Sequence, residues 1–154
     1  MKQETVVWLT TNPVTTWWIR NVASKLDPWI FRATGGRWFS MGKANMPMIT
    51  LTTTGRKSGK PRHVHLACLE REGGWLVWAS NMGQEHHPAW SHNLEAHPEL
   101  EVQVEGERCR ARARRLSSEE KAAVWDEVRR AVPQLDVYVT RTDRDIRLYQ
   151  LTRA

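Results

Sequence analysis

The sequence predicts an α+β fold in which an antiparallel sheet curls into a barrel with helices packed outside it. Three observations carry that expectation. The predicted elements run helix, three strands, helix, hairpin, helix, strand, with too little strand–helix alternation for a doubly wound parallel sheet. The stretch Glu99–Leu116 has the two-residue alternation of a β-hairpin. The chain has 154 residues, 40% hydrophobic and 26% charged, which is ordinary for one globular domain. No internal repeat or Pro/Gly/Ser linker interrupts it. Residues 1–154 are therefore expected to form one domain, with an N-terminal amphipathic helical segment over 1–36 and the barrel over 45–151.

Each element has a local reason. Asn12-Pro13 reads as a helix start, Asn as N-cap and Pro at the first helical position. Val14, Trp17, Trp18, Val22, Leu26, Trp29 and Ile30 then recur at helical spacing. Asp27-Pro28 is expected to break this stretch and cap a second short helix, which Thr34-Gly35-Gly36 ends. Residues Pro47–Thr54, Arg62–Glu70 and Trp75–Ser80 are β-rich and separated by the turn clusters GRKSGKP and REGG. Pro88–His97 is a short helix. In the hairpin, a Gly106-Glu107 type II′ turn sets Glu105, Gln103, Glu101 and Glu99 opposite Arg108, Arg110, Arg112 and Arg114. Ser117 and Glu120 form a capping box, and the helix behind it buries Val124, Trp125, Val128 and Val132 before stopping at Pro133. Ile146–Leu151 is the last strand.

Composition excludes several classes. No apolar run approaches the ~20 residues of a membrane-spanning helix. The start MKQETVVWLTT lacks the basic and apolar regions of a secretory signal. Cys68 and Cys109 stand in neither CxxC nor CxxH context, so a reduced, cytoplasmic compartment is expected. The 23 basic against 17 acidic residues leave a net charge of +6, which points to anionic partners. Nine of the chain's aromatic residues are Trp, a flat face with one donor.

The chemistry concentrates in Thr52–Arg62, TTTGRKSGKPR. Two glycines, hydroxyls and the cations Arg56, Lys57, Lys60 and Arg62 in one turn make an anion cradle, because backbone N–H groups converge there and Arg and Lys supply charge. A solvated basic turn is the alternative. It is not a Walker A loop, since Lys60-Pro61 stand where Gly-Lys is required. His63 and His65 share one strand face, and His86, His87, His92 and His97 follow, but no ligand spacing is completed and no metal is expected. Ser58, Ser80 and Ser91 lack the elbow context of a nucleophile. A nucleic-acid platform is disfavoured because the Arg strand already faces glutamates. The N-terminal tryptophans, with Arg20, Lys25 and Arg32, can dock on the barrel or lie on a membrane surface at the inner face of the cell membrane.

The middle of the chain resembles a known family. LTTTGRKSGKPR, the WASN step, HPAWSHNLEAHPELEVQV and the RTDR segment Arg141–Arg144 are similar to the deazaflavin (coenzyme F-420)-dependent nitroreductase and quinone reductase family of actinobacteria. The resemblance covers about residues 45–150. It implies a split, FMN-binding-like β-barrel and hydride transfer from reduced coenzyme F-420 to a quinone, an enone or a nitroaromatic. It implies that Arg56, Lys57, Ser58 and Arg62 hold the phosphate and the glutamate carboxylates of the coenzyme. The strand His63, Val64, His65, Leu66 and Ala67, with Trp78, Ala79, Ser80 and Asn81, would line the ring. Ala89, Trp90, Ser91, His92 and Asn93 would close the other side, and Ser80 and Tyr138 are the candidate proton donors.

The chain departs from the family's nitroreducing members at the acceptor end. Ala67, Val132 and Leu135 stand where those members carry tyrosines, leaving Tyr138, and His65 replaces a proline. The competing expectations are an FMN-type split-barrel oxidoreductase and a non-enzymatic deazaflavin carrier. The acidic tail of F-420 asks for more cations than the single phosphate of FMN, and the turn offers four.

Overall fold

The barrel closes because two edge strands are one stretch of chain. The sheet order is β2-β1-β5-β6-β7-β4-β3, antiparallel throughout, with β1 at Met48–Thr54, β2 at Pro61–Ala67, β3 at Leu69–Arg71 and β4 at Gly74–Trp78. The remaining strands are β5 at Glu99–Val104, β6 at Glu107–Arg115 and β7 at Leu148–Arg153. Strands β2 and β3 are the two edges of the sheet, and only buried Cys68 separates them. The first half of this long strand pairs with β1 and the second with β4. That break at Cys68 gives the split of a split barrel. These features come from a computed structural model that describes residue 8 and residues 11–35, 38–40 and 46–154. Gly36 of the predicted terminator and residue 45, the predicted barrel start, lie outside the described residues.

Two apolar layers hold the sheet. Inside the barrel, Ile49, Leu51, Val77, Val102, Tyr149 and Leu151 interlock with Leu94 of α3 (Ala89–Ala96). On the other face of β4 and β7, Leu76, Trp78 and Leu148 pack against α4 (Ser118–Ala131) and α5 (Leu135–Thr140) through Val128, Val132, Leu135 and Tyr138. The capping box forms as expected: Ser117 Oγ accepts from Glu120 N at 3.1 Å and Glu120 Oε2 from Ser117 N at 2.8 Å. Helix α5 was not anticipated. Its six residues follow Pro133 and are too few to show a helical period.

The hairpin register is a correction. Glu105 and Gly106 both have positive φ, 50° and 89°, so they are the two central turn residues of a type I′ connection. The pairing is Glu99↔Arg112, Glu101↔Arg110 and Gln103↔Arg108, displaced by two residues from the expected register. A two-residue shift keeps every side chain on its face, so the burial alternation cannot distinguish the registers. The turn decides, because a type I′ twist matches the twist of the strands. Arg112 forms an ion pair with Glu99, and Arg114 instead makes a bidentate pair with Glu120 at 2.8 and 2.9 Å.

The N-terminal segment also differs from expectation. Helix α1 (Pro13–Trp18) starts as predicted, with Asn12 Oδ1 accepting from Val14 N at 2.9 Å. Pro28 does not break the helix, because α2 (Ser24–Ala33) runs through it. The preceding turn, Ile19–Ala23, is wound wider instead, absorbing the crowding that a proline ring imposes on the turn before it. Asp27 does not cap a new helix; its carboxylate accepts from Ser40 N at 2.6 Å. The segment docks on β2 through Ala23 and Phe31, both buried, whereas Val14, Trp17, Trp18, Leu26 and Trp29 are exposed. Among the described residues no helix is long and apolar enough to cross a membrane.

Candidate functional site

The β1–β2 turn is a rigid loop. Gly55 N donates to Lys60 O at 2.9 Å and Gly59 N to Gly55 O at 2.7 Å, closing a tight ring. A side chain at Gly55 would meet Ser58 Oγ at 2.7 Å, so glycine lets the loop fold back this closely. Asn93 of α3 then latches the loop to the barrel. Its Oδ1 accepts from Arg56 N at 3.1 Å, and its Nδ2 donates to Thr53 Oγ1 at 3.1 Å. Asn93 and Thr53 are both buried, where an unmet polar group would be expensive.

Beside the loop lies a cleft of about 400 Å³. Arg56, Lys57, Ser58, Arg62 and His63 form its polar side; Val64, Ala89 and Trp90 form its apolar side, with Asn93 at the base. Among the described residues, Arg56, Lys57, Lys60 and Arg62 have no carboxylate within ion-pair distance, and all four are exposed. Unpaired cations over an apolar wall suit a ligand with an anionic end and a flat body. Ser58 Oγ accepts from Lys60 N at 3.2 Å, so its hydroxyl supports the loop as well as facing the cleft. His63 Nδ1 lies 3.0 Å from Thr52 Oγ1.

The other predicted residues sit elsewhere. His65 lies at the seam with α2, its ring centroid 3.8 Å from that of Phe31 and its Nδ1 3.1 Å from Thr50 Oγ1. Burial pushes its pKa down to about 4, against the raising influence of Asp27. Leu66 packs on the barrel interior, Ala67 and Trp78 on the α4–α5 layer, and Ala79 is buried. Ser91 is fully buried, its Oγ 2.7 Å from Tyr149 Oη, which also donates to Glu95 at 2.8 Å. Burial first, and Glu95 after it, push Tyr149 up to about 12. His92 and His87 stand edge to face, centroids 5.8 Å apart. Both pKa values are lowered, by burial first and then by the neighbouring arginines, His87 to about 4. Ala67, Val132 and Leu135 form part of the packed α4–α5 layer and are not among the residues that line the cleft.

Ser80 and Tyr138 are not among the residues that line this cleft; Ser80 leads into a turn that packs on the helix carrying Tyr138. After β4 the chain makes a 3₁₀ turn at Asn81–Gly83, which packs on α5. A Cβ at Gly83 would meet Tyr138 O at 2.6 Å, so only glycine allows that contact. Tyr138 is buried beneath the Arg141 guanidinium, 5.6 Å from its ring. Sequence reasoning missed Arg144, whose guanidinium reaches Ala79 O, Ser80 O and Gln84 O; the RTDR motif was its only signal. No group of three or more His, Cys, Asp or Glu stands together as a metal site among the described residues.

Comparison with known proteins agrees with this geometry. Residues 13–152 match the family model described as F420H(2)-dependent quinone reductase. An F420H(2)-dependent quinone reductase of Mycobacterium tuberculosis is 31% identical over 132 residues, covering 84% of this chain and 89% of the relative. A solved F420-H2 dependent reductase is 37% identical with a TM-score of 0.62, covering 68% of this chain and 93% of that one. A second solved chain, described as a domain-swapped dimer, is 32% identical with a TM-score of 0.64, covering 88% of this chain and 98% of its own.

Proposed function

This chain belongs to the F420H(2)-dependent quinone reductase family of oxidoreductases, and from that premise we propose that the cationic cleft holds coenzyme F-420 for hydride transfer to an electrophilic acceptor. The observation that carries the reading is the set of four cations that, among the described residues, have no carboxylate within ion-pair distance, on a loop latched by Asn93. The donor set fits the coenzyme. Arg56, Lys57 and Arg62 offer fork and point charges for a phosphate and several carboxylates, and Val64, Ala89 and Trp90 offer a wall for a flat ring. When bound, the reduced deazaflavin supplies the hydride.

The chain's own part is to bind, orient and protonate. The loop fixes the anionic end, Trp90 restricts the ring, and water is excluded from the apolar side. Ser80 and Tyr138 are the groups proposed to hold or deliver a proton, since Ser80 leads into the 3₁₀ turn that packs on α5, the helix of Tyr138. A quinone is the acceptor the site suits best. It relies on burial and stacking, which the apolar wall of Val64, Ala89 and Trp90 offers.

Spectral titration with coenzyme F-420 and with FMN, followed by turnover with menadione and a bicyclic nitroimidazole, tests the reading. F-420 is expected to bind more tightly than FMN, and menadione to be reduced faster than the nitroimidazole. Lys57→Ala and Arg62→Ala are each expected to weaken F-420 binding by about 1.5–3 kcal/mol, or roughly 10–100-fold. Wild-type affinity in both variants sinks the anion-cradle assignment, and binding without turnover leaves a carrier.

A membrane contact is proposed from one further observation. All five tryptophans described before residue 40 are exposed (Trp8, Trp17, Trp18, Trp29 and Trp38), whereas Trp75, Trp78 and Trp90 of the barrel are buried. Lys25 and Arg32 are exposed on the same helical segment, and its one acidic residue, Asp27, is tied to Ser40. Trp with Lys and Arg is the composition of a helix lying on an anionic lipid surface. Binding to vesicles containing phosphatidylglycerol, weakened by salt and by Trp17→Ser with Trp29→Ser, is expected. Absence of vesicle binding by the unmodified protein removes the contact.

A further inference from the structure

Two consecutive non-glycine residues, Asn81 (φ 46°) and Met82 (φ 53°), lie in the left-handed region at the turn that follows β4. Such a pair is strained and persists only where the surroundings over-determine it. The turn has bonds of its own, such as Asn81 Nδ2 donating to His86 O at 2.9 Å, and one side chain from a distant part of the chain adds three more. The Arg144 guanidinium donates from Nη1 to Ala79 O at 3.0 Å, from Nη2 to Ser80 O at 2.9 Å and from Nε to Gln84 O at 3.1 Å. Nη1 also stands 2.9 Å from His87 Nδ1, which must accept and therefore stays unprotonated there.

This is an unusual use of a charge. Burial disfavours the Arg144 cation, yet no carboxylate lies within ion-pair distance of it among the described residues. Its neighbour Asp145 is instead engaged by Lys121 and Arg115. The guanidinium therefore serves three backbone carbonyls and one neutral imidazole nitrogen. Those carbonyls bracket the strained pair on both sides, two before it and one after it. Lysine keeps the charge but has no planar fork to reach three carbonyls from fixed directions.

We propose that Arg144 is a positioning residue that clamps the Ala79–His87 turn in the strained form from which Ser80 acts on the acceptor. The inference rests on the proposed role of Ser80 and extends it to a residue that touches neither coenzyme nor acceptor. Through His87 and its neighbour His92 the clamp also adjoins α3, whose Asn93 holds the cationic loop, so one turn is braced against the coenzyme side.

The test compares wild type with Arg144→Lys and Arg144→Gln; if the glutamine variant does not fold, the lysine variant decides. Amide hydrogen exchange of the protein without coenzyme is expected to accelerate at residues 79–87 and not across β1, β5 and β6. With coenzyme, kcat for menadione is expected to fall about 10–100-fold while F-420 affinity weakens no more than about threefold, because the loop at Gly55–Lys60 is untouched. Unchanged exchange at 79–87, acceleration spread evenly over the sheet, or kcat within about twofold of wild type overturns the proposal. If the unmodified enzyme reduces no quinone, the proposed function fails, and the exchange measurement still decides whether Arg144 is the clamp.

Discussion

Asn93 shows how a single side chain can control a site without meeting the ligand through its own polar atoms. Both ends of its amide are engaged by Arg56 N and Thr53 Oγ1, so it sets where the cations stand. Asn93→Ala removes the bonds to Arg56 N and Thr53 Oγ1 and frees the loop, and is expected to weaken coenzyme binding about tenfold, as the loss of ~1–2 kcal/mol implies. Fluorescence titration checks this, with a melting curve to show that the barrel remains. Asn93→Asp keeps the acceptor for Arg56 N, loses the donor to Thr53 and sets a carboxylate beside the cations. It is expected to weaken coenzyme binding further than alanine does. The same residue marks the boundary of what the sequence reveals. The pattern P-x-W-x-x-N-L pointed to position 93, but only the fold shows that its amide faces inward to the loop.

At the scale of elements, the β5–β6 hairpin separates what alternation can tell from what a turn decides. Strand positions, facing sides and the Glu–Arg composition were legible. The register was not, because a shift by two residues leaves every face unchanged and the choice lies in whether Glu105 or Glu107 joins Gly106 in the turn. The pair to exchange is therefore Arg112 with Glu99. Arg112→Glu is expected to destabilise the protein by about 0.2–1 kcal/mol, and adding Glu99→Arg to recover part of it. A denaturation double-mutant cycle measures the coupling, and the same cycle with Glu101 should show less. Leu135 gives a second example at this scale. It is fully buried between α5 and the sheet, so Leu135→Tyr is expected to destabilise by about 1–3 kcal/mol through overpacking rather than to add a donor to the site. A thermal melt reads that directly.

For the whole molecule, acid is the condition that loosens the joint between the N-terminal helices and the barrel. His65 lies in that joint, against Phe31, with Thr50 on one nitrogen and its other nitrogen buried without a partner among the described residues. Its pKa is about 4 in the folded protein against 6.5 for a free histidine, so the unfolded chain binds the extra proton between those values. The stability it contributes is complete above about pH 6.5 and drains as pH falls towards 4, to a loss on the order of 3 kcal/mol. Glu120 acts in the same direction lower down. Arg114 and the Ser117 amide hold it at about 2, so its contribution disappears as pH falls from 4.5 towards 2. Urea denaturation between pH 7 and 4 is expected to show the first decline, and His65→Phe, which cannot protonate, to flatten it.

The sequence by itself determined the fold class, the succession of strands along the chain, the capping box, the cationic loop and the family to which they belong. Each of these depends on contacts within a few residues or on a motif read in one stretch. Tertiary structure decided the rest, because it depends on which distant residues share a surface. It paired the two parts of the stretch read as one strand with different neighbours, β1 and β4, turned the N-terminal tryptophans outward while Phe31 docks on His65, and placed Ala67, Val132 and Leu135 inside a packed layer. It also brought Arg144 under Ala79, Ser80 and Gln84, at least 60 residues away along the chain. A guanidinium whose bonds go mainly to backbone carbonyls leaves no charge-pairing pattern in the side chains, and for that physical reason its partners are not legible in one sequence.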